Sequence, residues 1–131
     1  MMLNKYVKII IFGCILWIIP FLAGFLLYSS KGQPLFDIFL IKSIMIAIGS
    51  LTGIILLILY FKKISINYLR EGVVVGISWL FINWLLDILI LLPMNKMSIN
   101  IYFMNIGIRY LSILFVSVSV GYLLDFVKKH P

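Results

Sequence analysis

Residues Glu71 to Asp87 read EGVVVGISWLFINWLLD, a stretch apolar enough to enter a lipid bilayer although it carries an asparagine and an aspartate. Three similar stretches occupy most of the remaining chain, so that the four cover about residues 6–28, 35–61, 72–92 and 101–126. Each exceeds the ~20 residues that an α-helix needs to cross ~30 Å of hydrocarbon. Because open sheet edges leave amide groups unpaired in lipid, the sequence predicts helices rather than strands.

The composition also indicates a membrane protein. Of the 131 residues, 64% are hydrophobic and 11% are charged, whereas a soluble domain is about half apolar and a quarter charged. A small globule cannot hide this excess of apolar surface, but a bilayer solvates it. We predict an all-α polytopic protein of the cell membrane. Residues 1–131 form one transmembrane domain, an antiparallel bundle of four helices in contact with the lipid bilayer.

The basic residues predict the orientation of the bundle. The chain carries 11 Lys and Arg against 4 Asp and Glu, a net charge of +7. Seven basic residues lie at one end of the predicted bundle: Lys5, Lys8, Lys62, Lys63, Arg70, Lys128 and Lys129. Two, Lys31 and Lys96, lie at the other end. Because cytoplasmic loops are enriched in Lys and Arg, we expect both termini in the cytoplasm. The basic residues form no stripe interleaved with aromatics, which argues against nucleic-acid binding.

The first apolar stretch has two interpretations. Lys5 and Lys8 before an apolar run are typical of a cleaved signal peptide. The run is about 20 residues long, however, which exceeds the apolar region of a signal peptide, and no A-x-A cleavage site follows it. Pro20 and Gly24 within it fit a kinked membrane helix. We expect this helix to be retained.

Charged residues fall at membrane depth on three of the predicted helices. At 1.5 Å per residue, Asp87 lies ~9 Å below the edge marked by Pro93, Lys42 lies ~10 Å deep and Arg109 ~12 Å deep. Asp37 lies more than one turn above Lys42, near the interface. A lone charge in hydrocarbon costs several kcal/mol, so such residues face inward and pair. The sequence therefore predicts a buried polar cluster in the outer half of the bundle.

Helical spacing defines the surroundings of this cluster. One face of the third helix carries Gly72, Gly76, Trp79, Asn83 and Asp87. The same spacing on the fourth helix groups Asn105, Arg109, Ser112, Val116 and Ser119. We predict a direct or water-bridged pair between Asp87 and Arg109, with Asn83 and Asn105 as hydrogen-bond partners. The candidate network comprises Asp87, Arg109, Lys42, Asn83, Asn105 and Asp37.

The network has a structural and a functional interpretation. A buried ion pair can do no more than fix helix register. Lys42 and Arg109 have stems long enough to snorkel to the headgroups, whereas Asp87 is short and needs water or a partner. In the functional interpretation, the cluster forms part of an ion or proton path. The structural interpretation is favoured because the polar residues stop near mid-depth, apart from serines such as Ser112 and Ser119.

Small residues and the two remaining acids have expected local roles. The pairs Gly49 with Gly53 and Gly72 with Gly76 have the small-x-x-x-small spacing that lets helices pack closely. Glu71 complements the dipole at a helix start. Asp125 lies at a helix end, where Lys128 and Lys129 are expected to offset its charge.

Catalytic and metal sites cannot be assembled from this sequence. Cys14 is the only cysteine and His130 the only histidine. A disulfide within the chain and a Cys-based metal centre are therefore excluded, and His-rich metal sites and the usual nucleophilic triads are not expected. No glycine-rich phosphate-binding motif occurs. We expect no cofactor, no metal and no catalytic residue.

The second half of the chain carries a recognisable pattern, E-G-x3-G-x2-W-x3-N-x2-L-D, followed by L-L-P-M, N-I-G-I-R-Y-L and a terminal V-G-Y-L-L. In these motifs it resembles a class of small, functionally uncharacterised four-helix integral membrane proteins of prokaryotes. The resemblance implies the four-helix fold and brings no activity with it.

The predicted function is that of a non-enzymatic membrane module, structural or acting through itself or another membrane protein. The alternative is a small oligomeric channel or transporter that uses the polar cluster in an ion or proton path. An enzyme ranks last, because the sequence supplies neither a nucleophile with its base nor a metal site.

Overall fold

The chain folds into four long helices in a computed structural model that describes residues 2–29, 33–96 and 98–129. The long helices are α1 (Met2–Leu27), α2 (Ile38–Phe61), α3 (Tyr68–Leu86) and α6 (Leu111–Lys129). Two short helices, α4 (Leu92–Asn95) and α5 (Ile99–Asn105), connect α3 to α6. Within the described ranges, the β-type pairing consists of one isolated bridge, between Tyr28 and Pro34. The predicted all-α fold is confirmed.

Four segments are long and apolar enough to cross a membrane: Asn4–Leu27, Ile38–Phe61, Tyr68–Met94 and Gly107–Lys129. Large apolar side chains such as Leu26, Phe39 and Phe115 point outward and are exposed. A bilayer solvates such surfaces, so this outward exposure agrees with membrane spans. We call the end with the start of α1, residues 62–67 and the end of α6 the terminal end, and the opposite end the loop end.

Contacts between side chains establish the direction of each helix. Helices α1 and α3 are parallel, because the residue numbers of their contact partners increase together. These partners are Lys5 with Glu71, Ile9 with Trp79, and Trp17 with Asp87. The partners along α1 and α2, and along α3 and α6, run in opposite order: Leu16 with Gly53, Gly24 with Met45, Gly72 with Ser117, and Trp84 with Gly107. The chain therefore alternates in direction from one long helix to the next.

The neighbour relations differ in one respect from the usual pattern of helix bundles, in which a short connector makes consecutive helices adjacent. Helix α1 packs between α2 and α3, and α6 packs along α3. Helix α2 approaches α3 chiefly at the connector, where Tyr60 bonds to Glu71 and Phe61 contacts Tyr68. The connector at residues 62–67 thus joins helices that lie diagonally across the bundle.

Helix α3 begins at Tyr68, before the predicted start near residue 72, because α6 caps it. Its own N-cap residue, Asn67, has left-handed backbone geometry, with φ of 55°, and makes no side-chain cap. Instead the carboxylate of Asp125 accepts the amide N–H groups of Tyr68 at 3.1 Å and Leu69 at 2.8 Å. An acceptor and a negative charge are both favourable at a helix start. Lys128 makes a different contact from the one expected beside Asp125, because its ammonium group donates to the Ser65 carbonyl.

The end of the third span is irregular where Asp87 lies. Residues Asp87–Leu91 form a π-helical turn, in which the amide of Leu92 donates to the carbonyl of Asp87, five residues earlier. Pro93 follows directly, and a proline ring clashes with the carbonyl four residues before it. A single wide turn of this type relieves such a conflict. The predicted helix at 72–92 therefore continues, but with altered geometry from Asp87 onward.

The prediction of one continuous helix at 101–126 is wrong, because the helix is interrupted after α5. Ile106 has φ of −129°, and Gly107–Tyr110 form a 3-10 turn before α6. A Cβ at Gly107 would lie 2.5 Å from the ring of Phe103, so a larger residue there would require this ring to move. The indole of Trp84 donates to the Gly107 carbonyl at 2.9 Å, which holds the break against α3.

The break rotates α6 relative to the predicted face. Ser112, Val116 and Ser119 are exposed, whereas Ser117 and Gly121 are buried. A helical face extrapolated from Asn105 and Arg109 loses its phase across a 3-10 turn, because each residue there turns further than in an α-helix.

Candidate functional site

Asp87 is the most deeply buried charged residue in the described part of the chain, with 1% of its surface exposed. The indole N–H of Trp17 donates to its Oδ1 at 2.6 Å, and the hydroxyl of Tyr102 donates to its Oδ2 at 2.5 Å. Hydrogen bonds to an ionised acceptor are short and strong. Both carboxylate oxygens therefore have donors from the chain itself.

We call Asp87, Trp17 and Tyr102 together the Asp87 site. Each of the three residues is positioned by a different helical element. Trp17 lies in α1, where its ring stacks on Phe21 with centroids 4.4 Å apart. Tyr102 lies in α5, whose start is capped by Ser98 through a bond from the amide of Ile101. The π-helical turn begins at Asp87 itself. The site therefore ties α1, α3 and α5 together near the loop end.

Arg109 does not form the predicted direct ion pair with Asp87. In the described ranges, one ion pair brings a Lys or Arg nitrogen within 4 Å of a carboxylate, and it joins Lys5 to Glu71. Arg109 acts on the Asp87 charge at longer range, and its Nε is buried without a hydrogen-bond partner among the described residues. The direct pair is corrected because Trp17 and Tyr102 occupy both carboxylate oxygens. The water-bridged pair stays a prediction.

The other candidate residues are mostly placed elsewhere. Asn83 is buried but donates to the carbonyl of Trp79, one turn back in its own helix, at 2.8 Å. Asp37 is exposed and caps α2 by accepting the amides of Phe39 and Leu40. Lys42 is half-buried and has no carboxylate within 4 Å among the described residues.

The side chain of Asn105 lies outside the described part of the structure. Of the six candidates, the structure leaves Asp87 at the centre of a site, Arg109 in its electrostatic range and Asn83 one turn away.

A second buried carboxylate, Glu71, occupies the terminal end of α3. Lys5 of α1 donates to its Oε1 at 2.8 Å, and the hydroxyl of Tyr60 of α2 donates to its Oε2 at 2.7 Å. We call these three residues the Glu71 site. Like the Asp87 site, it combines one donor from α1 with one tyrosine from a third helix. Its role thus exceeds the helix-start role predicted for Glu71.

The region of α3 between the two carboxylates is filled by apolar and aromatic packing. Val75 and Trp79 have no exposed surface, and Leu80 is buried beside them. The indole N–H of Trp79 donates to the carbonyl of Ile9 in α1 at 3.0 Å. Val75 and Trp79 pack in the same cluster as Ile9, Leu16 and Leu57. The two sites are therefore separated by a packed core.

Glycines bring α3 against α6 along the buried face. A Cβ added at Gly72 would lie 2.5 Å from the Ser117 carbonyl oxygen, and one at Gly76 would lie 2.9 Å from Leu114. Gly49 does not lie against another helix within the described part of the chain, since a Cβ there would meet nothing within 4 Å. Gly53 makes an ordinary contact with Leu16 at 3.6 Å. Glycine spacing alone does not distinguish a packed face from a lipid-facing one.

Several residues of these sites were missed from the sequence, although some signals were present. Trp17 carries an N–H in the middle of an apolar helix, and such a group needs an acceptor. Ser117 and Gly121 have the same small-x-x-x-small spacing as Gly72 and Gly76. Tyr60 and Tyr102 lie near the ends of apolar stretches, where tyrosines are typically interface anchors, and nothing local distinguishes such an anchor from a buried donor.

Comparison of the chain with protein-family models, curated proteins and solved structures finds no match. The geometry of the two sites therefore carries the functional interpretation.

Chemically, both sites hold a carboxylate in place rather than offering it to a ligand. Each carboxylate oxygen of Asp87 and Glu71 already accepts from a side chain of the same protein. No group of three or more His, Cys, Asp or Glu suited to a metal ion occurs among the residues that the structure describes.

Proposed function

We propose that this protein is a non-enzymatic integral membrane module that acts through contacts with itself or another membrane protein. In this proposal the two buried carboxylates have a structural role, because each joins three helical elements. The hydrogen bonds to these carboxylates fix the positions of α1, α3 and the helices that carry the two tyrosines relative to one another. A rigid bundle with a largely apolar outer surface is suited to helix–helix contacts within the bilayer.

One observation carries the proposal: every oxygen of Asp87 and Glu71 accepts a hydrogen bond from its own chain, and a packed apolar core separates the two sites. An ion or proton path needs polar groups or water that continue across the bilayer. Val75, Trp79 and Leu80 are buried in α3 between the two carboxylates, which argues against such a path within one copy of the chain.

We expect purified protein in liposomes to give no proton or potassium flux above that of protein-free liposomes. Proton flux is measured with an entrapped pH-sensitive dye after valinomycin converts an imposed K⁺ gradient into a membrane potential. Potassium flux is measured with the same dye and gradient when a protonophore replaces valinomycin, and addition of both ionophores at the end reports the full signal. Flux in the wild type that disappears in a folded Asp87→Asn variant would overturn the proposal. Partners that remain bound in mild detergent identify what the module contacts.

A channel or transporter is the second candidate, and one observation favours it. Arg109 keeps a buried Nε without a hydrogen bond within the described chain, and Lys42 lacks a nearby carboxylate. Unpaired cations at membrane depth are typical of sites that meet water or a ligand. In an oligomer, a path between copies would avoid the packed core. The same liposome assay tests this candidate.

We further propose that the protein lies in the cell membrane with its terminal end in the cytoplasm. The support is the asymmetry of seven basic residues against two, because cytoplasmic loops are enriched in Lys and Arg. Lys31, one of the two, lies outside the described residues, whereas Lys96 is exposed at the loop end.

Cysteine labelling in intact bacterial cells tests this orientation. In a Cys14→Ser background, Lys96→Cys should react with a membrane-impermeant maleimide, while Lys63→Cys and Lys129→Cys should react only after permeabilisation. All three substituted positions are exposed, so access to reagent and not burial decides the result. Labelling of the Lys129→Cys variant in intact cells would contradict the proposed orientation.

A further inference from the structure

An open groove runs along the outside of the bundle between α3 and α6, near the terminal end. It has a volume of about 430 Å³ and is lined by Leu69 of α3 and by Val118, Ser119, Tyr122 and Leu123 of α6. Its walls are mainly apolar, and Ser119, Tyr122 and Leu123 are exposed to the surroundings. We call it the α3–α6 groove.

Two exposed cations are close to groove-lining residues along their helices. Arg70 follows Leu69 directly and is exposed. Lys129 lies on the groove side of α6, because Tyr122, Phe126 and Lys129 follow at spacings of four and three residues, and the rings of Tyr122 and Phe126 stack with centroids 6.4 Å apart. Lys129 is thus ~10 Å beyond Tyr122 along the helix. Neither cation has a carboxylate within 4 Å among the described residues.

The acids of this end do not neutralise the two cations. Glu71 is buried and engaged by Lys5. Asp125 directs both oxygens to the amide groups that open α3, where the helix dipole complements its charge. Lys128 is also held, by the Ser65 carbonyl and over the ring of Tyr68. Arg70 and Lys129 therefore remain without an ion-pair partner within 4 Å in the described ranges, although Arg70 acts on the Glu71 charge at longer range.

We propose that the α3–α6 groove binds an anionic phospholipid, with an acyl chain along Leu69, Val118 and Leu123 and the phosphate between Arg70 and Lys129. The ligand is complementary to the site. Its apolar tail matches the apolar groove, and its negative headgroup at the membrane surface matches the two cations. Charge complementarity selects anionic over zwitterionic lipid, because basic residues at a membrane surface attract anionic headgroups.

A second copy of the chain fits the groove less well. A parallel neighbour would bring its own basic terminal end beside Arg70 and Lys129, and like charges at an interface are unfavourable. The groove thus has a stated occupant, and the inference holds whether the protein is a structural module or a channel.

Native mass spectrometry of the detergent-purified protein tests the proposal by titration with phosphatidylglycerol and, separately, with phosphatidylcholine of the same acyl chains. We expect phosphatidylglycerol to bind more tightly. Arg70→Gln and Lys129→Gln should each weaken its binding about fivefold, the factor that corresponds to one surface cation. The matched control is Lys96→Gln, which removes one charge at the loop end and should leave binding unchanged.

A second pair of variants tests the groove itself. Ser119→Phe fills the groove with every charge kept and should weaken binding of phosphatidylglycerol, while Ser112→Phe, at an exposed serine of the same helix outside the groove, should not. Equal binding of the two lipids by the wild type would overturn the proposal. So would a dimer that Ser119→Phe dissociates, since the groove would then belong to a second copy. Equal binding of the two lipids by the wild type counts against the proposal even where a variant fails to fold.

Discussion

Gly72→Ala is expected to lower the thermal unfolding temperature of the detergent-purified protein, with a loss of about 1–3 kcal/mol in unfolding free energy. The added Cβ would lie 2.5 Å from the Ser117 carbonyl oxygen and 3.4 Å from the Gly121 Cα, and both contacts are backbone. Backbone cannot rotate away as a side chain can, so α6 has to move from α3. The same movement strains the bond from the Ser117 hydroxyl to the Gly72 carbonyl, which is 2.6 Å long.

Gly49→Ala is the matched control for this experiment. Gly49 is also a helix-interior glycine, but a Cβ there meets nothing within 4 Å. Since alanine is favoured over glycine in helices by about 0.5–1 kcal/mol, this variant should be as stable as the wild type or more stable. Equal destabilisation by the two alanines would mean that the α3–α6 contact is misplaced.

Asp87→Leu is expected to have the largest effect of any substitution at a polar residue. It leaves the Trp17 N–H and the Tyr102 hydroxyl without an acceptor, and each unsatisfied buried donor costs about 1–3 kcal/mol. The expected loss in unfolding free energy is therefore about 2–6 kcal/mol. Denaturant unfolding followed by tryptophan fluorescence measures it, because Trp17 itself lies in the site.

Two further variants show whether the loss comes from the hydrogen bonds. Asp87→Asn should cost much less, since the amide oxygen still accepts from Trp17 and the amide N–H can donate to the Tyr102 hydroxyl, which accepts as well as donates. Asp37→Leu removes an exposed carboxylate that only caps α2, so it should cost about 0.5–2 kcal/mol. If Asp87→Leu is no worse than Asp37→Leu, the Asp87 site does not hold the fold together.

Much of the fold follows from the sequence because hydrocarbon leaves few alternatives. Apolar stretches longer than about 20 residues predict the number of helices and their alternating direction. Helical spacing also predicts which face of α3 is buried: Gly72, Gly76, Trp79, Asn83 and Asp87 are all buried. A continuous α-helix keeps its phase, so the prediction holds wherever the helix is regular.

The partners across helices could not be predicted in the same way. A depth estimate brought Asp87 and Arg109 to similar levels, but depth says nothing about angular position around the bundle. The 3-10 turn at Gly107–Tyr110 then rotated the fourth span out of its expected phase. Opposite charge suggested Arg109 as the partner, whereas two neutral donors, Trp17 and Tyr102, lie closer to the carboxylate. Neutral donors satisfy a buried carboxylate without burial of a second charge.

The capping of α3 has a similar origin. Asp125 is distant from Tyr68 and Leu69 in sequence, and only the antiparallel packing of α6 on α3 brings its carboxylate to their amides. Rules that consider one helix at a time predict that an acid at its C-terminal end is unfavourable. They do not take account of a neighbouring helix whose N-terminal end the same acid can cap.

A double-mutant cycle at Asp87 tests most directly whether its carboxylate is a structural tie between helices. Unfolding free energies are measured for Asp87→Leu combined with Tyr102→Phe, and for Asp87→Leu combined with Arg109→Gln, beside each single variant. Directly bonded groups couple by about 0.5–3 kcal/mol, and groups without a shared contact are nearly additive. We predict a coupling energy in that range for Asp87 with Tyr102 and a smaller one with Arg109. A larger coupling with Arg109, or additive effects of Asp87 and Tyr102, would contradict the account.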